Sequence, residues 1–447
     1  MAKDNFGRKS QNYKGTRDYA GIDAAKRNYV IDQIKSVFEL FGFEPLDTPA
    51  IELMRILDDK YGEEGQKNIF RLSSSKEDSL GGLRYDHTVP LARFMAQNPG
   101  SKILPYRRYA IGKVWRNESV QAGRYREFIQ CDFDTVGSDS LVVDAEIIAM
   151  NFQVLTRLGF PKDIFTIQYN DRRLLNVMTN AIGCNETNAI EVLRAWDKLE
   201  KIGLEATIKE LKEKGVSRAV IANYETLSSN LLKSQNQFQY LQQVLGSDGE
   251  DALNIITNIF YYAQSLGVPT QNVVFNPLLA RGLDYYTGPI FETVIESAGI
   301  GSISGGGRFD RLIAEMGGPD LPASGSSFGL ERVISVMDQL EIQFPIQVTA
   351  PVFVTIFDPT NLDLVKYSFT VAANLRLDGI PVEVYTGNQA NLGKQFDIAN
   401  RKGSEIVLVL GPDELSKNKI TVKFLKTWEQ FTIPLSALTT QILKLLS

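Results

Sequence analysis

The segment YRRYAIGKVWRNESVQAGRYREFIQCDFDTVG, residues 106–137, contains the strongest fold signal in this chain. Two runs rich in β-branched and aromatic residues, 106–116 and 127–137, flank a polar loop. Runs of this kind, separated by a polar loop, are typical of neighbouring β-strands. We therefore predict antiparallel strands here, and we use them as the reference for the rest of the chain.

Five arginines lie in or beside these strands. They are Arg107, Arg108, Arg116, Arg124 and Arg126. Guanidinium groups hold phosphate oxygens through paired hydrogen bonds and stay charged at any working pH, so the cluster is a candidate triphosphate clamp. The alternative is a solvated surface in which neighbouring carboxylates are the partners. Those carboxylates are Glu118, Glu127, Asp132 and Asp134.

Upstream of the strands, an apolar stripe at helical spacing predicts a helix over residues 22–41 that ends at Gly42. The members of the stripe are Val30, Ile34, Val37, Phe38 and Phe41. The next segment, GFEPLDTPAIE at 42–52, contains two prolines and is expected to be extended chain or an edge strand.

Downstream, the chain alternates between helical and sheet character. Charge-laced segments with a helical period fill 171–268, whereas strands and glycines return at 272–332. Beyond a Pro-marked linker, strands alternate with helices, which indicates a small α/β domain with a mainly parallel sheet. We therefore predict an α+β domain built on an antiparallel sheet (1–170 and 269–344), a helical insertion (171–268), a linker (345–350) and a C-terminal α/β domain (351–447).

Length and composition indicate an ordinary globular protein. At about 150 residues per domain, 447 residues suffice for roughly three domains. The contents of 43% hydrophobic and 23% charged residues exclude a disordered or fibrous chain. The sequence contains no apolar run long enough to span a membrane and no apolar start typical of a secretory signal, so we expect a cytoplasmic protein. A net charge of −5 leaves nucleic-acid binding undecided, because a basic face can occur in an acidic chain.

Histidine and cysteine are nearly absent, which restricts the possible chemistry. His87, Cys131 and Cys184 are the only residues of these types. Three such residues cannot form a four-ligand structural zinc site, and they exclude a disulfide framework. Catalysis by Ser-His-Asp or Cys-His would depend on His87 alone. We therefore expect no zinc, and chemistry carried out by carboxylates, arginines and tyrosines, with Mg²⁺ as a candidate ion.

Two further segments are candidates for a ligand site. RGLDYYTG, 281–288, combines charged groups with Tyr285 and Tyr286, which would point to opposite faces of an extended chain. GGGRFDRL, 305–312, is expected to be merely a turn, and the alternative is a tight turn that lets its backbone approach a ligand closely. Neither segment matches G-x-G-x-x-G or G-x-x-x-x-G-K-[ST], so dinucleotide-binding and P-loop sites are excluded.

In this order, the segments resemble the class II histidyl-tRNA synthetases over almost the whole chain. The helix 22–41 with PLDTPAIE resembles motif 1, the dimer-interface element. KVWRNE through GRYREFIQCDFD resembles motif 2, and GSSFGLERV resembles motif 3. LRYDHTVPLARF at 83–94, RGLDYY and GGGRFDRL resemble the segments with which this family recognises histidine. The resemblance makes 351–447 an anticodon-binding domain.

The resemblance implies an ATP-dependent ligase that converts histidine to histidyl-adenylate and transfers the histidyl group to the 3′ end of the histidine tRNA. It further implies a homodimer formed through the motif 1 region and Mg²⁺ beside the ATP phosphates. The implied catalytic residues are Arg281 and Arg116. The implied histidine-binding residues are Asp86, Thr88, Gln130, Asp134, Tyr285 and Tyr286. The implied ATP-binding residues are Arg116, Glu118, Arg124, Phe128 and Arg332.

The chain departs from the family pattern in two places. Ser119 and Val120 stand where many bacterial members have Arg-Pro, and that arginine contacts the extra 5′ guanosine of the histidine tRNA. Serine is too short for this contact, which leaves Gln121 as the expected tRNA-binding residue and predicts weak discrimination of the extra nucleotide.

His87 replaces a leucine that is common in the family. In extended chain its side chain would face away from the pocket, so we expect a structural role.

Two other functions fit parts of the pattern. A non-catalytic paralogue that regulates histidine biosynthesis usually lacks the terminal domain and the ATP-binding arginines, whereas this chain has residues 351–447, Arg116 and Arg332. RGLDYY, together with Asp86, Gln130 and Asp134, argues against a class II synthetase for threonine, proline or glycine. Ligation of histidine is therefore the expected activity.

Overall fold

The computed structural model describes residues 11–58, 60–73, 81–120, 123–280, 285–346 and 349–446. The chain forms two compact units, residues 1–344 and 345–447. The finer division of the first unit at residues 170 and 268 stays a prediction. Within the described ranges, no helix is long and apolar enough to cross a membrane.

The first unit is built on a large mixed sheet. Its strands are β1 (Glu44–Pro45), β2 (Ile51–Leu53), β3 (Arg71–Leu72), β4 (Gly81–Leu83), β5 (Tyr106–Trp115), β6 (Glu127–Val136), β7 (Thr166–Asp171), β8 (Val273–Phe275), β9 (Pro289–Val294), β10 (Ser302–Arg308) and β11 (Ala323–Gly329). Eight of them form one sheet in the order β1-β5-β6-β11-β10-β9-β7-β8, and β2-β4-β3 form a second. The five inner pairs of the large sheet are antiparallel, and only the edge pairs β1–β5 and β7–β8 are parallel. The predicted antiparallel sheet is confirmed.

Helices cover one face of this sheet and extend beyond it. They are α1 (Ile22–Leu40), α2 (Met54–Leu57), α3 (Gly62–Lys67), α4 (Thr88–Gln97), α5 (Leu141–Arg157), α6 (Arg172–Ala181), α7 (Glu186–Ile202), α8 (Leu204–Glu213), α9 (Arg218–Lys233), α10 (Gln237–Leu245), α11 (Glu250–Ser265) and α12 (Leu330–Gln339). The predicted stripe of α1 faces the core: the ring centroids of Phe38 and Phe133 on β6 are 4.8 Å apart. Residues 172–265 are mainly helical, as the sequence predicts.

GGGRFDRL is not a turn at its glycines, and this prediction was wrong. Gly305, Gly306 and Gly307 lie inside β10. A Cβ atom at Gly306 would overlap the backbone of Gly325 on β11, and one at Gly307 would lie 2.8 Å from the Tyr286 ring. The glycines therefore allow Gly325 of β11 and the Tyr286 ring to pack closely against β10. Close approach of a neighbouring group is a common reason for glycine inside a strand.

The second unit has its own sheet and core. Its elements are β12 (Val352–Val354), α13 (Leu362–Leu377), β13 (Val382–Val384), α14 (Leu392–Lys402), β14 (Ile406–Val409), α15 (Pro412–Lys417), β15 (Lys419–Phe424), β16 (Gln430–Pro434) and α16 (Leu438–Leu446). The strand order is β13-β12-β14-β15-β16, with parallel pairs at β12 and antiparallel pairs from β14 to β16. The prediction of a mainly parallel sheet was wrong, because β15 and β16 form an antiparallel hairpin. The sequence before β16 contains no clear turn signal, so this strand was not predicted.

Candidate active site

A cleft of about 1560 Å³ opens over the central strands of the first unit. The strand β6 forms much of its floor, because side chains alternate between the two faces of a strand. Four β6 side chains line the cleft, while the alternate residues Cys131 and Phe133 are buried in the core. The four are Phe128, Gln130, Asp132 and Asp134. One strand thus carries an aromatic ring, an amide and two carboxylates along a single binding surface.

Arg116 lies at one end of this surface, directly after β5. Its guanidinium carbon is 4.2 Å from the ring centroid of Tyr85 and 5.3 Å from that of Phe128, and its Nε donates to the Tyr85 carbonyl at 3.1 Å. Burial alone would lower the pKa of Arg116, but nearby Tyr85, Glu118 and Asp86 outweigh it and raise the pKa. The positive charge is therefore fixed in position and in protonation.

Two more arginines line the same end of the cleft. Arg332 lies in the first turn of α12 and donates from Nη1 to the Ser302 carbonyl at 2.6 Å. Burial, Arg124 and Arg116 lower the pKa of Arg332, in that order of importance. Arg124 Nη1 lies 3.7 Å from Glu118 Oε2. Neighbouring cations repel one another unless an anion is bound, so this arrangement is suited to a polyphosphate.

Buried carboxylates lie farther along the cleft, beginning with Asp86, whose charge still acts on Arg116. Asp86 Oδ1 accepts hydrogen bonds from the backbone N–H groups of Thr88 and Val89 at 3.1 and 3.0 Å and from the Tyr61 hydroxyl at 3.2 Å. Burial raises the pKa of Asp86 to about 6. Thr88 is the first residue of α4, and both Asp86 and Thr88 line the cleft.

Asp134 is held by Arg108, which lies beside it on the neighbouring strand β5. Arg108 Nη2 lies 2.7 Å from Asp134 Oδ2, and both side chains are buried. Burial raises the pKa of Asp134, and the Arg108 charge opposes this effect. Arg108 therefore belongs to the support of the floor and does not line the cleft.

Asp132 was missed by the sequence analysis. Its Oδ1 and the Oε1 of Gln130 are both buried and have no hydrogen-bond partner among the described residues. Burial raises the pKa of Asp132. A buried polar atom without a partner costs roughly 1–3 kcal/mol, so a ligand that donates to it gains affinity. The period-two alternation that places Gln130 and Asp134 in the cleft also places Asp132 there, and this signal was available in the sequence.

Tyr285 and Tyr286 both line the cleft, with ring centroids 4.9 Å apart. Opposite faces were expected only for an extended chain, and residues 285–287 do not form a strand. The helical segment contributes the wall through α7, whose Trp196, Asp197 and Glu200 also line the cleft.

His87 lies outside the cleft lining, directly before α4 and not in extended chain. Its Nε2 is 3.2 Å from the Gly112 carbonyl, and burial lowers its pKa to about 3. The ring is therefore neutral at working pH.

The five arginines of the hairpin do not act together. Arg107 pairs with Glu146 at 3.0 Å, and Arg126 Nε donates to the Glu118 carbonyl at 3.2 Å; neither lines the cleft. Ser119 does line it. The predicted residues Arg281 and Gln121 lie outside the described residues.

A resident metal site is not found in the part of the chain that the structure describes, where no three of His, Cys, Asp and Glu are grouped to hold an ion. Mg²⁺ usually binds through substrate phosphates, water and one or two carboxylates, and needs no protein cage. Glu118 and Glu292 line the cleft and are the carboxylates whose charges act on Arg332. The site thus fits an ion that arrives with a polyphosphate.

Comparisons with known proteins agree in both units. A family model described as histidyl-tRNA synthetase matches residues 15–333, and one described as anticodon binding domain matches 351–445. The chain is 36% identical to a histidine–tRNA ligase of Azobacteroides pseudotrichonymphae over 95% of this chain and 96% of that relative. It is 37% identical to one of Gloeobacter violaceus over 94% of this chain and 96% of that relative. The structure of histidyl-tRNA synthetase from Nostoc sp. PCC 7120 is similar with a TM-score of 0.81 and 27% identity, covering 99% of this chain and all of that one.

Proposed function

This chain belongs to the histidyl-tRNA synthetase family, and on that premise we propose that its cleft binds ATP at the arginine end and histidine at the carboxylate end. The protein is an ATP-dependent ligase that joins histidine to its tRNA. The observation that carries the assignment of the two ends is β6, whose cleft-lining face runs from Phe128 beside Arg116 to Asp134 beside Arg108.

In the first step, the histidine carboxylate attacks the α-phosphorus of ATP and pyrophosphate leaves. Arg116 holds the α-phosphate, since its guanidinium is fixed by Tyr85 and stays charged. Arg124 and Arg332 hold the outer phosphates, and Phe128 and Glu118 hold the adenine. Fixed cations lower the barrier because negative charge builds up as the new P–O bond forms, and no covalent enzyme intermediate is needed. Arg281 would act at the reacting carboxylate by resemblance alone.

Histidine is selected by buried polar groups. Asp86 and Asp134 would bind the ammonium and the imidazole, and Gln130 and Asp132 would pair with the remaining N–H groups. Thr88 and Tyr286 would add hydroxyl contacts, while Tyr285 lines the site. An amino acid without an imidazole would leave these buried atoms unpaired, which is the strongest form of discrimination available to a binding site.

Mg²⁺ is proposed to accompany ATP. Glu292, which also lines the cleft, is the carboxylate that would complete its shell beside the phosphates. When bound, the ion neutralises charge on the departing pyrophosphate.

The second unit is proposed to bind the tRNA anticodon, which supplies the partner for the transfer step. The finer domain boundaries stay predictions. They separate a first catalytic part, a helical insertion, a second catalytic part and a linker. Weak discrimination of the extra 5′ guanosine stays a prediction, because Gln121 is outside the described residues. The cytoplasmic location also stays a prediction.

A homodimer through the motif 1 region is part of the proposal. Apolar side chains are exposed at the end of α1, on β2 and in the loop before β5: Leu40, Ile51 and Ile103, the last with 92% of its surface accessible. A second copy that covers them would remove an apolar surface from water. Sedimentation velocity of the purified chain tests this.

The regulatory paralogue is not favoured, since Arg116 and Arg332 line the cleft and the second unit is present. The proposal is tested by histidine-dependent ATP–pyrophosphate exchange with Arg116→Ala and the matched control Arg107→Ala. We expect activity to fall at least about a hundredfold in the first, the scale of losing one fixed charge, and to persist in the control. Equal activity in both variants would reject the ATP site.

A further inference from the structure

Trp428 has an unusual backbone for a large residue. It lies in the turn between β15 and β16, with φ of 61° and 56% of its surface exposed. Positive φ is sterically costly for bulky side chains, and turns that need it usually contain glycine or asparagine. Tryptophan also gains nothing from exposure to water. Backbone strain combined with an exposed aromatic ring is found more often where the side chain has a binding role.

The ring has a cationic neighbour that is itself held in place. Lys423 Nζ lies 4.7 Å from the ring centroid of Trp428 and 4.9 Å from that of Phe396 on α14. Attraction between an ammonium group and aromatic faces keeps the charge close to both rings. Trp428 and Lys423 therefore form one compact feature at the end of the hairpin.

A polar strip continues from this feature along one face of the hairpin. In the β15–β16 register, Lys423 is opposite Gln430 and Thr421 is opposite Thr432. Gln430 and Thr432 are exposed, whereas Val422 on the other face is buried in the core. The strip offers amide and hydroxyl groups beside an aromatic ring and a positive charge.

We propose that Trp428 and Lys423 form a platform on which a single-stranded base of the tRNA anticodon stacks. This inference rests on the proposed function of the second unit and names a contact for it. Stacking on an exposed aromatic ring, with a cation for the phosphate, is the general way in which proteins bind unpaired bases. Gln430 and Thr432 lie where they can form hydrogen bonds to a base edge. The exposed strained ring then has a function that a glycine in this turn could not fulfil.

The test is aminoacylation of a histidine tRNA transcript by the full chain with Trp428→Gly, Trp428→Phe and the control Leu377→Ala. Leu377 is 85% exposed and lies on α13 of the same unit. For Trp428→Gly we expect the KM for tRNA to rise by about 5- to 100-fold, the range for loss of one stacked base. Trp428→Phe retains a ring and should restore most of the affinity, and Leu377→Ala should leave the KM for tRNA unchanged.

Folding and binding can be separated in the same variant. Glycine relieves the strain at positive φ, so Trp428→Gly should melt at or above the wild-type temperature although it binds tRNA less well. A merely structural tryptophan would give the reverse, a lower melting temperature with an unchanged KM for tRNA, and that result would overturn the proposal.

Fluorescence gives a direct readout of the contact. The chain has three tryptophans, and Trp428 is the only one in the second unit. Titration with an anticodon stem–loop RNA should quench wild-type emission, and the quench should vanish in Trp428→Phe. If the wild type charges tRNA but this quench is absent, the platform is wrong while the ligase function stands. If the wild type charges no tRNA, the proposed function itself fails.

Discussion

Arg108 Nη2 lies 2.7 Å from Asp134 Oδ2 at the floor of the cleft, and the two residues are directly opposite each other in the β5–β6 register. Arg108 also donates to the His87 carbonyl at 3.0 Å, which connects the strand pair to the start of α4. The arginine thus fixes a carboxylate that faces the cleft from the middle of a rigid sheet. A ligand group that meets Asp134 meets an atom with little freedom to move.

Arg108→Met is expected to destabilise the fold by about 3–5 kcal/mol, because it leaves the buried Asp134 without its countercharge. The double variant Arg108→Met/Asp134→Asn should recover part of this loss. Urea unfolding measures both, with Arg107→Met as control, where loss of a partly exposed pair should cost no more than about 1 kcal/mol. Strictly additive effects of the two substitutions would show that the pair is not coupled.

Asp134→Asn, Asp132→Asn and Gln130→Ala should each raise the KM for histidine by about 5- to 150-fold, since each removes a partner worth roughly 1–3 kcal/mol from a buried polar ligand. The KM for ATP should change far less. Pyrophosphate exchange at varied histidine measures this, with Asp139→Asn on the exposed loop after β6 as the matched control. A variant that keeps its histidine KM would remove that residue from the pocket.

Asp86 predicts a pH dependence of amino acid binding. Its pKa is raised to about 6 by burial, so the carboxyl is neutral below that pH and ionised above it. An amino acid ammonium is therefore bound better as pH rises from 5 to 7. Triazolylalanine, a histidine analogue whose ring does not titrate in this range, should show an inhibition constant that falls across this window. Asp86→Asn should reduce the trend, and the remainder comes from Asp134, whose pKa is also raised by burial. A flat profile in the wild type would contradict the assignment.

The same carboxyl affects stability in the opposite sense. The folded state holds the Asp86 proton more tightly than the unfolded chain, so its contribution to the free energy of unfolding decreases as pH rises from about 4, the unfolded value, to about 6.

Arg281→Ala should slow adenylate formation by roughly 10²- to 10³-fold, the effect of removing one preorganised charge, and should weaken histidine binding far less. The expectation derives from its place in RGLDYY. Single-turnover formation of adenylate measures the step, and Arg311→Ala, an exposed arginine, is the control. Adenylate formation near the wild-type rate would remove Arg281 from the mechanism.

Removal of the second unit, with the chain ended near Ala350, should spare histidine-dependent pyrophosphate exchange and raise the KM for tRNA. The first unit is a compact unit by itself, and the proposed ATP and histidine sites lie in its cleft. Aminoacylation at varied tRNA measures the effect. Unchanged aminoacylation after truncation would reject the tRNA-binding role of residues 351–447.

Local patterns in the sequence were enough to predict α1 and the β5–β6 hairpin. The apolar stripe of α1 and the alternation of β6 depend on residues close in sequence, and both follow directly from backbone periodicity. The alternation of side chains along β6 would also have identified Asp132 as a residue that lines the cleft. Its partner-free Oδ1 could not have been foreseen, because it depends on what the neighbouring strands leave uncovered.

The features that were predicted wrongly or missed depend on contacts between segments that are far apart in the sequence. The glycines of β10 resemble a turn until Gly325 and the Tyr286 ring are known to lie against them. The strand β16 was missed because Trp428 occupies a turn position with positive φ where a glycine would have signalled a hairpin. The Arg108–Asp134 pair likewise requires the register of two strands, which the sequence leaves unspecified.

The central claim is that the cleft activates histidine and no other amino acid. ATP–pyrophosphate exchange with the purified chain, run separately with each of the twenty amino acids, tests it most directly. We expect exchange with histidine alone, and we expect Arg116→Ala to lose it. Exchange driven by threonine, proline or glycine, or no exchange with histidine, would contradict it.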